Sequence, residues 1–207
     1  KQKLQETLQA MNFKQLVITT DARLSLYGAG KGAAIIVVAL GTGSVAMRLD
    51  ETGAEKQFGG WGFTAGDLGS GAYIGRELVA EILHQFDKDD FNADELSAQL
   101  LKVIGNDRQS ILGWLKIATA TDFAALSKLV TDTIPRRQLA QSILIKAAAE
   151  VERLIISTEG NNQLPICLIG GLANVITPLL SNEIQAQIIP SKGAAVDGAI
   201  YLAEQLL

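Results

Sequence analysis

Continuous apolar runs alternate with helical spacings along the chain. Residues 34–40 are apolar without a break, which is typical of a strand covered on both faces. Residues 44–49 and 54–58 have β character on either side of a turn signal at 50–53. Together these segments predict an antiparallel meander over residues 34–58.

From residue 72 onward most apolar positions have helical spacing. Ile74, Leu78, Ile82 and Phe86 recur every four positions and predict a helix over 72–86. Further amphipathic helices are predicted at 93–104, 108–118, 122–131 and 137–158, with a stop signal at 160–162. The remaining predicted elements are a buried strand at 165–169, a short helix to residue 180, a short strand at 187–190 and a closing helix at 193–206. This order predicts a mixed α/β domain with a helical elaboration.

The N-terminal stretch predicts a short strand with a carboxylate at its end. Residues 1–11 have the pattern of a polar amphipathic helix, and the β-like run at 16–20 ends at Asp21. Because ligands of α/β folds bind at strand ends, Asp21 is a candidate to accept a proton from a substrate hydroxyl. The alternative is that Asp21 caps one or two helical turns over residues 22–27.

Two short glycine turns each follow a predicted strand. Gly41, Thr42 and Gly43 join two strands, and the backbone N–H groups of such a turn suit phosphate oxygens. The alternative is a plain hairpin turn. Gly170 and Gly171 open a predicted helix, where a nucleotide could approach the backbone closely.

A longer glycine-rich segment covers residues 59–71. Trp61 follows Gly60 in this segment, and an aromatic side chain in such flexible backbone either packs against a ligand or anchors the core. Asp67 is either a ligand contact or a cap for the next helix, with Ser70 as the other capping candidate. The glycine turns and the acidic side chains predict a cleft that binds phosphate and hydroxyl groups.

Composition limits the function further. The chain has 207 residues, 48% of them hydrophobic, and a net charge of −4 without a basic stripe, which argues against a nucleic-acid partner. The single cysteine, Cys167, excludes an internal disulfide, and with one histidine, His84, the chain lacks a Cys-rich or His-rich metal site. We assign both residues structural roles. With no apolar run of ~18 residues and no secretion signal, we expect no membrane span and a cytoplasmic location.

The order of these motifs resembles the N-acetylglucosamine kinase and BadF/BadG/BcrA/BcrD ATPase family. That family belongs to the sugar kinase, Hsp70 and actin superfamily of ribonuclease-H-like folds. The motifs that carry the resemblance are Ile18–Ala22, Gly41–Ser44, Gly59–Gly62 with Gly66–Gly71 and Ile74–Gly75, Leu168–Leu172, and Gly193–Ala199.

The resemblance implies ATP-dependent phosphorylation of N-acetylglucosamine or glucosamine at the 6-hydroxyl, with ATP and Mg²⁺ as cofactors. It implies that Asp21 is the catalytic base and assigns no metal ligand in this chain. The nucleotide and phosphate side is implied to include Gly41, Thr42, Gly43, Gly170 and Gly171. The sugar side is implied to include Gly60, Trp61 and Asp67. The expected partners are therefore a small amino sugar and ATP, and a homodimer stays open.

One departure from the family pattern changes this expectation. Members begin with a strand carrying an Asp-Gly-Gly-Gly-Thr type phosphate loop, which this chain lacks. Residues 1–207 therefore resemble the C-terminal two-thirds of a kinase, with a helical insertion at about 91–134, and we expect no sugar turnover from them alone. Two alternatives remain: an ATPase activator of the same family, which uses a Cys-ligated iron–sulfur cluster, or a non-catalytic sugar- or nucleotide-binding module.

Overall fold

A four-stranded mixed sheet organises the part of the chain that the computed structural model describes, which is residue 8 with residues 15–132, 138–159 and 163–206. Its strands are β1 (Ile35–Leu40), β2 (Ser44–Leu49), β3 (Glu55–Gly59) and β4 (Ile166–Ile169). The order across the sheet is β3-β2-β1-β4. β1, β2 and β3 pair antiparallel, as the predicted meander requires, whereas β4 pairs parallel with β1.

The register brings the three glycine-rich segments to one end of the sheet. Ala39 pairs with Ile169, so the carboxyl ends of β1 and β4 lie side by side. Val45 pairs with Gly59, so β3 ends and the loop at 59–71 begins at this same end of the sheet. Because α/β folds bind ligands at the carboxyl ends of their strands, this end of the sheet is the candidate location of a binding site.

The helices of the described residues pack on both faces of the sheet. They are α1 (Asp21–Gly30), α2 (Gly71–Phe86), α3 (Glu95–Ile104), α4 (Arg108–Ile117), α5 (Ala120–Thr131), α6 (Gln138–Glu159), α7 (Ala173–Ile176), α8 (Asn182–Gln185) and α9 (Ala195–Glu204), with a 3₁₀ turn at Thr177–Leu179. Ile36 and Val38 of β1 pack into a core with α2 and α6. Ile35 and Val37 pack with α1 on the opposite face. Alternate residues of β1 therefore enter different cores, which explains its continuous apolar sequence.

The start of α2 is capped by Ser70. Its side chain accepts a hydrogen bond from the Tyr73 N–H at 3.2 Å, which satisfies one of the donors left free in the first turn of a helix. Of the two capping candidates in the sequence, Ser70 is therefore the one that caps. Asp67 lies outside the helix and is free for another role.

Close packing fixes α5 against α2. A Cβ added to Gly75 would overlap the carbonyl oxygen of Phe123, and one added to Gly71 would lie 3.4 Å from the Cβ of Ala124. Two glycines one helical turn apart thus let α5 approach the backbone of α2. Helices α3, α4 and α5 lie within the predicted helical insertion.

Two short strand predictions are wrong. Residues 15–20 lie outside any strand, and α1 begins at Asp21 with Thr20 as its N-cap. At 187–190 there is an isolated bridge between Ile188 and Ile166 in place of a strand. In both places the sequence has β character, but a strand also needs a neighbour to exchange backbone hydrogen bonds with.

Two other predictions fall largely where nothing is described. The helix at 1–11 lies outside the described residues except for Leu8, which is helical, and the stop signal at 160–162 lies outside them entirely. Within the described ranges, none of the helices combines the length and the apolar character that crossing a lipid bilayer requires.

Candidate functional site

The turn between β1 and β2 is held by the start of α2. The N–H of Gly71 donates to the carbonyl of Gly41 at 2.9 Å, and the N–H of Ala72 donates to the carbonyl of Thr42 at 3.1 Å. The carbonyls of the turn are thus occupied. The N–H groups of Thr42 and Gly43 have no hydrogen-bond partner among the described residues, so they are free to bind an anion.

Asp67 lies against this turn. Its Oδ1 accepts a hydrogen bond from the Ser44 N–H at 3.2 Å, and a Cβ on Gly43 would lie 2.7 Å from the same oxygen. Asp67 has a φ of 54°, a left-handed conformation that is uncommon outside glycine and is tolerated best by Asn and Asp. The backbone therefore holds the carboxylate beside Gly43, where only a residue without a side chain fits.

Trp61 lies in the open on the loop at 59–71. The residue is 81% exposed, so it is not a core anchor, which was one of the two interpretations of its sequence context. Both neighbours, Gly60 and Gly62, have positive φ values, of 69° and 82°, which glycine adopts most readily. The loop therefore presents a large aromatic surface to solvent, as a stacking surface for a ligand would require.

A cavity of about 310 Å³, here called the tryptophan cavity, lies between this loop and α6. Trp61 and Asp67 line it on the loop side, and Glu150 and Arg153 line it on the α6 side. Nη2 of Arg153 lies 2.6 Å from Oε2 of Glu150, so these two charges offset each other. Asp67 has no such cationic partner among the described residues, so the cavity is net acidic.

Gly170 and Gly171 lie beside the end of β1. Gly170 has a φ of 98°, and a Cβ there would overlap the carbonyl oxygen of Leu40. No atom lies within 4 Å of a Cβ built on Gly171, so this residue faces open space. The first glycine is therefore needed for packing, and the second leaves room for a ligand.

A second cavity, of about 440 Å³, here called the glycine-turn cavity, has Gly41, Thr42 and Gly171 on one side. Its other wall is formed by α5, with Thr121 and Lys128 among the residues that line it. The structure thus joins two of the predicted nucleotide-side segments in one space. Asp67 and Trp61 lie in the tryptophan cavity, and the Gly43–Asp67 contact is where the two regions meet.

Asp21 is placed differently from the other candidates. It is an exposed residue in the first turn of α1, on the opposite face of the sheet from α2 and α6. Thr20 precedes it as the N-cap, accepting from the Arg23 N–H at 3.3 Å, so Asp21 is not the cap. The carboxylate makes no hydrogen bond within the described residues, which leaves it available to a substrate.

An ion pair connects α1 to β3. Arg23 donates from Nε and Nη2 to the two carboxylate oxygens of Glu55, at 2.6 and 2.7 Å. The hydroxyl of Tyr27 donates to the same carboxylate at 2.7 Å. The hydrogen bonds from Arg23 lower the pKa of Glu55, an effect that desolvation partly opposes. This contact fixes the first turn of α1, and therefore Asp21, relative to the edge strand.

The described residues contain no group of three or more His, Cys, Asp and Glu side chains that could hold a metal ion. Cys167 is fully buried in β4, and burial raises the pKa of its thiol, so it stays protonated and unreactive near neutral pH. A lone buried thiol does not provide the ligands of an iron–sulfur cluster.

Sequence reasoning missed the residues that α5 and α6 contribute. Thr121 and Lys128 are seven positions apart, and Glu150 and Arg153 are three apart, so each pair shares a helix face. Such spacings are common on any solvated helix surface. Only the packing of these helices against the glycine loops distinguishes them.

The chain is similar in sequence to proteins named as amino-sugar kinases. The chain is 29% identical over 196 residues to the glucosamine kinase GspK of Vibrio cholerae serotype O1, a match that covers 94% of this chain and 66% of that protein. Across the curated relatives that it matches, the chain spans about two thirds of their length.

Solved structures show the same fold. A protein of Chromobacterium violaceum, provisionally named an N-acetylglucosamine kinase, matches with a TM-score of 0.86 and 29% identity, covering 97% of this chain and 70% of that one. A ROK family glucokinase from Streptomyces griseus, solved with glucose and AMPPNP, matches with a TM-score of 0.56 at 14% identity, covering 98% and 71%. The second likeness is one of fold alone, and the two together confirm the predicted α/β, sugar-kinase fold class.

The model of the BadF/BadG/BcrA/BcrD ATPase family matches residues 1–203, which is nearly the whole chain. The motifs that suggested this family in the sequence lie within the match. The chain therefore belongs to the BadF/BadG/BcrA/BcrD ATPase family.

Proposed function

We propose that the protein containing this chain is an ATP-dependent amino-sugar kinase that phosphorylates glucosamine or N-acetylglucosamine at the 6-hydroxyl. The observation that carries the proposal is the junction at Gly43. On one side of the turn, the glycine-turn cavity has room for a nucleotide and is lined by Thr42, whose N–H is free among the described residues. On the other side, Asp67 borders a cavity with an exposed tryptophan.

The phosphate end of the nucleotide belongs at the turn. The N–H groups of Thr42 and Gly43 are unoccupied within the described residues, and Thr42 is exposed. Preorganised backbone donors stabilise charge on a transferring phosphoryl group without reorganising during the reaction. Phosphoryl transfer depends mainly on such positioning and charge stabilisation, because the protein makes no covalent bond to the phosphate.

The sugar belongs on the side of Asp67 and Trp61. A carboxylate accepts hydrogen bonds from sugar hydroxyls, and an exposed indole ring offers an apolar face for the sugar ring. Gly60 supports this loop, since its N–H donates to the carbonyl of Ser44 at 3.2 Å. The names of the relatives support the same substrate class, since the relative from Vibrio cholerae is called a glucosamine kinase.

Asp21 is proposed as the general base. In the reaction, the oxygen of the 6-hydroxyl forms a bond to the γ-phosphorus while the bond from that phosphorus to the β,γ-bridging oxygen breaks. ADP leaves, and the hydroxyl proton passes to the carboxylate of Asp21. Mg²⁺ would enter with the nucleotide as Mg²⁺·ATP and would supply neutralisation of the charge on the phosphate oxygens.

The test is an ADP-release assay with Mg²⁺·ATP and a panel of glucosamine, N-acetylglucosamine and glucose, on the protein that contains this chain. Sugar-dependent ADP release is the expected result, and 6-deoxy-N-acetylglucosamine should bind without turnover. Phosphorus NMR of the product should locate the phosphate on the 6-oxygen. ADP release that is independent of sugar would favour the ATPase-activator alternative. Binding of both ligands with no ADP release would favour a non-catalytic module.

A further inference from the structure

We infer that Lys128 of α5 is a nucleotide-binding residue whose ammonium group contacts the phosphate chain of ATP. This inference rests on the proposed assignment of the glycine-turn cavity to the nucleotide. It also gives a role to the helical insertion, for which the sequence motifs offered none.

Lys128 belongs to a polar line along α5 that faces the cavity. Thr121, Lys128 and Thr131 all line the glycine-turn cavity. They are seven and three positions apart, which places them on one face of a helix of 3.6 residues per turn. The small side chains of Ala124 and Ala125 line the cavity between them, so the wall carries functional groups without filling the space.

The position of Lys128 relative to the turn is fixed by backbone packing. Gly71 donates its N–H to the carbonyl of Gly41, which attaches α2 to the turn. A Cβ on Gly71 would lie 3.5 Å from Oγ of Ser127, the residue just before Lys128. Ser127 in turn donates its hydroxyl to the carbonyl of Ala124 at 2.7 Å. These contacts from the turn to α5 therefore fix the position of the Lys128 backbone relative to the turn.

The ammonium group of Lys128 has no partner among the residues that the structure describes. Its side chain is exposed and forms no ion pair or hydrogen bond with any described residue. Lys146 on α6 shows the contrast, because its Nζ lies 3.0 Å from Glu81 and 3.6 Å from Glu77. The chain as a whole has a net charge of −4. An anion bound beside the Lys128 ammonium group would nevertheless be attracted to it locally.

The composition of the cavity wall selects the kind of anion. Among the described residues that line the cavity, Lys128 is the one with a charged side chain, and none has a carboxylate. Lysine acts as a compact, mobile cation suited to phosphate. With the free N–H group of Thr42, which also lines the cavity, the phosphate chain would be held from two sides.

The experiment compares nucleotide affinities of wild type, Lys128→Gln and Lys128→Arg by isothermal titration, with ATP, ADP and adenosine as ligands. The matched control is Lys116→Gln, which removes an exposed lysine from the neighbouring helix α4. Circular dichroism and thermal melting establish that each variant is folded.

We expect Lys128→Gln to weaken ATP and ADP binding about tenfold, the usual scale for losing a hydrogen bond to a charged group. Adenosine affinity should stay within about twofold of wild type, since adenosine has no phosphate to contact the lysine. Lys128→Arg should retain most of the affinity, and Lys116→Gln all of it. The dependence of ATP binding on salt should also weaken in Lys128→Gln.

Equal ATP affinities for wild type and a folded Lys128→Gln variant would overturn the inference. So would an equal loss for adenosine and ATP, because that would mean a packing role in the cavity wall. If wild type binds no nucleotide at all, the proposed nucleotide cavity itself is wrong and the inference falls with it.

Discussion

At the scale of single residues, the contact between Gly43 and Asp67 links the two halves of the proposed site. The carboxylate occupies the space where any other residue at position 43 would place its Cβ, 2.7 Å from Oδ1. Both residues were expected from the sequence to contact ligands, Gly43 the nucleotide and Asp67 the sugar. Because the two residues are in contact, a side chain added at Gly43 should displace Asp67 and weaken sugar binding first.

Gly43→Ala should therefore impair sugar binding before nucleotide binding. The added methyl group displaces the Asp67 carboxylate, and losing its hydrogen bond to the sugar should raise the sugar KM about tenfold. Steady-state kinetics with each substrate varied in turn would measure this. Gly41→Ala is the control, since its Cβ meets no atom within 4 Å and leaves Asp67 in place. A Gly43→Ala enzyme with an unchanged sugar KM would contradict the assignment of Asp67 to the sugar side.

Asp21→Asn should lower kcat by about 100-fold or more while the KM for ATP changes little, which is the scale expected for a general base. The amide keeps the shape of the side chain but removes the proton acceptor. The adjacent Thr20→Ala change is the control, because it removes the N-cap of α1 and should cost about 1 kcal/mol of stability with little effect on kcat. A near wild-type kcat in Asp21→Asn would contradict the role of general base. The carboxylate would then serve only to stabilise α1 through its interaction with the helix dipole.

At the scale of elements, the Arg23–Glu55 ion pair connects α1 with β3 through two short hydrogen bonds. Because the folded-state pKa of Glu55 is lowered, the ionised carboxylate is favoured by folding. Its contribution is present above the unfolded-state value near 4.3 and is lost as pH falls through the lower folded-state pKa.

Glu55→Gln should therefore flatten the acid branch of the stability profile. Thermal melts of wild type and variant between pH 3 and 7 should differ most at neutral pH and converge toward the acid end (an interval chosen to bracket the unfolded-state pKa). Glu51→Gln, a change at an exposed turn four positions earlier, should leave the profile unchanged. A constant difference between wild type and Glu55→Gln across this range would show that the ionised form of Glu55 is not what folding favours.

The packing of α5 on α2 gives a further prediction at this scale. Gly75→Ala places a methyl group on the carbonyl oxygen of Phe123, and overpacking of this kind typically costs about 1–3 kcal/mol. Urea denaturation should show that loss. The same change at Gly113, where a Cβ meets no atom within 4 Å, should instead stabilise α4 by up to about 1 kcal/mol. If both variants have equal stability, close approach does not explain the glycine in α2.

At the scale of the whole molecule, the sequence predicted the elements of the sheet and the long helices well, but two short strands were predicted where none forms. The apolar run of β1 and the regular spacing of α2 define their elements locally, so both predictions are confirmed. The predicted strands at 16–20 and 187–190 were wrong, because neighbouring strands decide whether a short β-like run becomes a strand. Trp61 had two interpretations in the sequence, and its exposure, which excludes the core anchor, depends on the conformation of the whole loop.

The walls of the two cavities were the part that sequence patterns could not supply. Lys128 and Arg153 sit on amphipathic helices, where charged residues are expected on the solvated face. Nothing in the spacing distinguishes a lysine that faces a cavity from one that faces bulk water. Their placement depends on long-range packing between helices and the glycine loops.

The parallel pairing of β1 with β4 also affects when, during folding, the protein becomes able to bind nucleotide. Ile36 pairs with Ile166, so the chain between these positions, which includes α2 through α6, must be traversed before the sheet is complete. Pairings between such distant segments form slowly, because loop closure must precede them. Gly41 and Gly171 reach a common space only through this pairing. Nucleotide binding should therefore appear late in refolding, with the docking of the last strand, and so report that folding is complete.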